Sequence, residues 1–90
     1  MNPILFDASE LTFDSNGLGV LSDAISCTVT EERNGAFELT LEYPISGIHY
    51  EEITNRRIIY CKPNPYASPQ PFRIYRMTKP LSGRVTVYAE

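Results

Sequence analysis

Two runs of alternating apolar and polar residues flank a short turn. They extend from Asp23 to Glu32 and from Ala36 to Pro44. Alternation with period two marks strands that bury one face, and Asn34-Gly35 between such runs is a strong hairpin signal. The pattern also selects a register. A two-residue Asn34-Gly35 loop would set Glu31 opposite Glu38 and Thr30 opposite Leu39. That pairs like charges and mixes polar with apolar on each face. A three-residue loop, Arg33-Asn34-Gly35, moves the pairing by one. Glu31 then faces Phe37, Val29 faces Leu39, Cys27 faces Leu41 and Ile25 faces Tyr43. On the other side Thr30 faces Glu38, Thr28 faces Thr40 and Ser26 faces Glu42. One face is apolar and the other polar, and Gly35 falls where a three-residue loop needs a left-handed residue. The three-residue register is therefore the expected one. Its apolar face reads as a core or interface surface.

The same reading extends along the chain. Pro3 to Phe6 is a short strand, and Thr12 to Gly19 is rich in turn formers and reads as a loop. Pro44 ends the hairpin, Ser46-Gly47 turns the chain, and Ile48 to Ile53 has room for one or two helical turns. Arg57 to Lys62 is dense in β-branched and aromatic residues and predicts a buried strand. Pro63 to Pro71 carries four prolines, each without an amide donor, and reads as an exposed loop. Phe72 to Thr78 and Arg84 to Ala89 are strands joined by residues 79–83; two pairings sort their side chains almost equally well. About six antiparallel strands with at most one short helix make the expected class all-β. The chain ends on a strand pattern at Ala89-Glu90. Residues 1–90 are thus expected to be a single domain of a longer protein, or one whose neighbouring strand comes from another chain.

Composition narrows the function classes. Ninety residues make one small domain, which buries only roughly 60% of its unfolded surface. No apolar run is long enough to span a membrane, and the first residues do not read as a secretory signal. Net charge is −3 but segregated. Residues 1–55 hold ten acids and one base, and residues 56–90 hold seven bases and one acid. Either the halves neutralise each other across one sheet, which is the default, or an acidic face meets a basic face on a neighbouring subunit. An acidic chain without a nucleic-acid motif is not expected to bind nucleic acid.

No catalytic, cofactor or metal site is expected. There is no nucleophile elbow, phosphate-cradling glycine loop or zinc spacing. His49, beside Glu51 and Glu52, is the only histidine, and no nucleophile or orienting group can be assigned to it. Glu31 and Glu32 are neighbours on a strand and point to opposite faces, and Asp7, Asp14 and Asp23 lack calcium-loop spacing. Cys27 and Cys61 read as buried free thiols, with a disulfide as the lesser alternative. One of Arg56 and Arg57 is expected to lay its stem along the sheet. The six tyrosines (Tyr43, Tyr50, Tyr60, Tyr66, Tyr75, Tyr88) read as core and rim packing, with a sugar-binding surface as the competing reading.

Two blocks carry a family resemblance. Asn16-Gly17-Leu18-Gly19 is followed by Cys27 to Leu39 and by Tyr43-Pro44; Pro71 to Tyr75 and Val85 to Ala89 form a later block. In order and spacing they resemble the N-terminal region of phage minor structural proteins. That family, also called prophage tail endopeptidases or tail-associated lysins, comes from long-tailed phages and prophages of Gram-positive bacteria. The resemblance covers nearly the whole chain. It implies a β-barrel-like domain of the tail-tip, or baseplate, hub, in which three copies close the tail tube below the distal tail protein. The implied role is structural, by self-association and docking to other tail proteins, including the distal tail protein and the end of the tape measure. The implied place is the virion tail tip, after synthesis in the bacterial host cytoplasm. Any peptidase module of the family lies further toward the C-terminus, and no catalytic residue of the family falls on this segment. A cell-wall carbohydrate-binding module, built on the tyrosines and the proline loop, and part of a tail peptidase are the alternatives.

Overall fold

The computed structural model describes residues 2–10, 13, 17–31, 37–63, 66–78 and 80–90. Seven strands lie among them: β1 (Ile4–Phe6), β2 (Gly19–Val20), β3 (Ser26–Glu31), β4 (Phe37–Pro44), β5 (Ile58–Cys61), β6 (Gln70–Met77) and β7 (Arg84–Ala89). The segment after Ile48 forms a single 3-10 turn, Tyr50–Glu52. Every ladder is antiparallel, and the strands form one sheet in the order β2-β1-β5-β6-β7-β4-β3. The sheet curls into a half-barrel. The curl brings the sulfurs of Cys27 on β3 and Cys61 on β5 within 4.0 Å, although three strands separate β3 from β5 in the sheet.

The hairpin register is the one selected by charge and apolarity. Six pairs run from Ser26–Glu42 to Glu31–Phe37, with Cys27 opposite Leu41 and Val29 opposite Leu39. The turn residues Arg33, Asn34 and Gly35 lie outside the described residues. The seventh expected pair, Ile25 with Tyr43, does not form. The Ile25 amide donates to the Glu42 carbonyl, one place off the register. Ile25 thereby turns outward and is 49% exposed. Tyr43 pairs with Val85 on its other side, and its hydroxyl reaches back to Asp23, which anchors the chain just before β3.

The other departures have local causes. Gly19, expected at the end of a loop, forms β2 with Val20 by pairing with Ile4 and Leu5 across the chain. Pro71, expected in the loop, lies in β6 opposite Tyr60. Amides alternate sides along a strand, and those of Arg73 and Ile74 point to Glu90 and to Arg57 respectively. The Pro71 nitrogen therefore faces away from β5, beyond the Arg73–Glu90 pair, where no ladder bond is lost. The β6–β7 ladder uses more than one register. Ile74 pairs with Ala89 but Arg76 pairs with Tyr88, so Tyr75 is the extra residue of a bulge. Beyond the ladder, Leu81 and Arg84 exchange both backbone hydrogen bonds. Ser82 and Gly83 between them are both left-handed (φ 56° and 79°), which makes a tight two-residue hairpin turn within the expected five-residue connection.

The core lies inside the curl. Leu39, Leu41 and Tyr43 of β4 meet Val85, Val87 and Ala89 of β7, and Leu5, Ile59, Phe72 and Ile74 complete it from the other half of the sheet. Leu5, Leu39, Leu41, Ile59 and Val87 are wholly inaccessible. Each such aliphatic contributes about 1.5–3 kcal/mol relative to exposure. Phe6, Phe13 and Tyr60 form an aromatic cluster, with Phe13 stacked on Tyr60 at 5.0 Å and edge-on to Phe6.

Candidate functional site

The sheet has two outer strands of different character. β2 is two residues long, and so short an outer strand offers little to pair with. β3 is six residues long and, among the described residues, pairs only with β4. The Ile45 amide donates to Gly83 on the β7 side. Alternation from that point turns the amides of Glu38, Thr40 and Glu42 toward β3. In the paired register this leaves the amides of Cys27, Val29 and Glu31 pointing away from β4. Along the exposed face of β3 stand Ser26, Thr28 and Thr30, small polar residues without charge or proline. β3 is thus a long, open backbone edge with little to block a further strand.

Apolar exposure gathers at one end of the same region. Ile25 precedes β3, Ile45 follows β4 and Leu81 precedes β7, so all three sit at one end of the neighbouring strands β7-β4-β3. Ile48 is tied to that end by its amide, which donates to Asp23 Oδ2 at 3.1 Å. Ile48 and Leu81 are 81% and 77% exposed. Isolated exposed aliphatics are ordinary; here four stand at one end of one sheet.

A polar cluster braces this end. Tyr43 is completely buried, and its hydroxyl donates to Asp23 Oδ1 at 2.5 Å and accepts from the His49 amide at 3.1 Å. The hydrogen bond from Tyr43, helped by that from the Ile48 amide, holds the Asp23 carboxyl below the usual range. Burial and the bond to Asp23 push the Tyr43 phenol up to about 12. Gly47 lies flat on the Tyr43 ring, where an added Cβ would come within 2.4 Å of it. His49, to which the sequence assigns no orienting group, has one in Glu52, whose Oε1 lies 2.6 Å from its Nδ1. The imidazole packs against Gly19 of β2. The arrangement ties the 43–53 segment to β2 and to the chain just before β3.

The remaining candidates fall into place around these features. Tyr60 stacks on Phe13, Tyr88 lies beneath the Arg76 guanidinium at 4.7 Å, and Tyr75 donates to Glu38. Tyr43 lies in the core and so lines no surface, and Tyr66 is 97% exposed in the proline loop. Arg84 pairs with Glu42 at 3.6 Å and Arg57 with Asp7 at 3.9 Å, joining the acidic and basic halves within the chain. Half-buried Arg57 also donates to the Glu52 carbonyl. Among the described residues, no group of three His, Cys, Asp or Glu side chains is placed to hold a metal ion. No protein-family model, curated protein or solved structure matches this chain.

Proposed function

We propose that this chain is a structural domain of a phage or prophage tail tip, a hub-like β domain that works by self-association and by docking to other tail proteins. The observation that carries the reading is the open six-residue edge of β3 beside four exposed aliphatics. A half-barrel with one blunted edge and one free edge is suited to being completed by a neighbour. The resemblance of the 16–44 and 71–89 blocks to phage minor structural proteins supports the same role. On this reading three copies of the full-length protein form the hub ring, the distal tail protein and the end of the tape measure are the neighbours, and this segment performs no catalysis. Synthesis is in the bacterial host cytoplasm and the final place is the virion tail tip.

The edge can be tested directly. Thr28→Lys and Thr30→Lys place charge along β3 while keeping its ladder with β4, where Thr30 faces Glu38. Sedimentation velocity over a range of concentrations should show association by the parent chain and a monomer for the double variant. A parent chain that stays monomeric throughout, or a variant that associates as strongly, would remove the support from β3.

A further inference from the structure

We propose that Cys27 and Cys61 are a redox pair that closes into an intrachain disulfide, joining the free outer strand β3 to β5 across the interior of the half-barrel. The proposal does not depend on a phage tail role. Both cysteines are free of a disulfide in the structure, and their sulfurs stand 4.0 Å apart. They are the only cysteines in the sequence. Their strands are not neighbours in the sheet, so no ladder bond accounts for the approach; the curl brings them together. Each side chain faces the interior: Cys61 belongs to the buried core and Cys27 packs against it. A disulfide needs the sulfurs at about 2.05 Å, a closure of about 2 Å. Movement of an outer strand held on one side only can supply that closure. The alternative use of two thiols, as metal ligands, lacks further donors among the described residues.

The pair is also chemically divided. The two thiols are hydrogen-bonded sulfur to sulfur, and either can be the donor; with Cys27 donating, its S–H stabilises the Cys61 thiolate and draws the Cys61 thiol down. The same bond, with burial, pushes Cys27 up, so the second proton stays there. In that arrangement Cys61 is the attacking sulfur and Cys27 the resolving one. Cys61 is only 7% exposed, which favours a small oxidant, and a peroxide is the class proposed. The Cys61 thiolate attacks one oxygen of hydrogen peroxide; the O–O bond breaks, and the departing hydroxide takes up a proton to leave as water. Cys61 becomes a sulfenic acid. Cys27 sulfur then attacks the Cys61 sulfur, the S–O bond breaks, and a second water leaves with the Cys27 proton. Two thiols and one peroxide become one disulfide and two waters, with two electrons passing from sulfur to oxygen.

The test treats the reduced full chain with hydrogen peroxide and reads intact mass, thiol alkylation and peptide linkage. A monomer lighter by two hydrogens, closed to alkylation and yielding a Cys27–Cys61 linked peptide, is the expected result. Its thermal midpoint should rise and return on reduction with dithiothreitol. Oxygen added at Cys61 with Cys27 still alkylated, or chains linked into disulfide dimers, would overturn the proposal. In Cys27→Ser the sulfenic acid has no resolving thiol, so dimedone should capture it on Cys61. A folded Cys27→Ser chain that takes up no dimedone would overturn the assignment of Cys61 as the attacking sulfur.

Discussion

Replacing Tyr43 by Phe removes one oxygen that performs two tasks. The hydroxyl donates to the Asp23 carboxylate at 2.5 Å and accepts from the His49 amide at 3.1 Å, while the ring is wholly buried. The variant keeps the ring and its packing, so the loss isolates the two hydrogen bonds. A bond to a charged group contributes about 1.5–3 kcal/mol and a neutral one about 1 kcal/mol. Asp23 is only half-buried and regains water, which lowers the total, and the expected loss at pH 7 is about 2–3 kcal/mol. For a domain of this size that corresponds to a fall in midpoint of roughly 8–24 °C. The pH dependence carries the sign of the argument. Asp23 is depressed in the fold, so its contribution is present above the unfolded value near 3.9 and fades as pH falls through the lower folded value. The gap between parent and variant should therefore narrow in acid. Tyr43 is raised to about 12, so its contribution to the parent is lost as pH rises from about 10 through that value, a loss that the Phe variant lacks. Urea unfolding followed by circular dichroism at pH 7 and pH 3, in reducing buffer, measures both quantities. A Phe variant within about 0.5 kcal/mol of the parent at pH 7, or a gap unchanged at pH 3, would refute the bracing role of Asp23 and Tyr43.

Two further expectations concern stability. Gly83 sits at φ 79° with nothing within 4 Å of an added Cβ, so Gly83→Ala should cost about 1–2 kcal/mol through backbone strain alone. Gly83→Asn should recover part of that in the same urea titration, and an Ala variant equal to the parent would deny the left-handed turn. Closing the Cys27–Cys61 disulfide, whose sequence separation is 34, should stabilise the chain by about 4 kcal/mol through loop entropy; a calorimetric comparison of oxidised and reduced chain showing no gain would mean the link strains the barrel.

What could be read from the sequence was what a local pattern carries. The β3–β4 register was legible because period-two alternation and the Glu31/Glu38 conflict both act within a few residues of one turn. The β6–β7 register was not, because the bulge at Tyr75 leaves Tyr75 and Arg76 both exposed and breaks the alternation on which such a reading depends. β2 was missed because two residues have no period; only their pairing with Ile4 and Leu5 makes them a strand. The braced end was hidden for a related reason. Tyr43 fitted the apolar face as an aromatic ring, and nothing nearby in sequence announced that Asp23, 20 residues earlier, would accept its hydroxyl. The unpaired buried-type hydroxyl of a core tyrosine was the available signal, since such a group needs a partner. The cysteine pair depends wholly on the curl of the sheet, and no spacing rule in the sequence expresses a curl.

Imaging tests the proposed tail-tip placement most directly. Antibody raised against this chain, carried on gold and applied to tailed particles released by the bacterium that bears the gene, should label the tail end distal to the capsid. Label on the capsid or along the tail shaft, or intact particles that lack the protein by mass spectrometry, would contradict a tail-tip role.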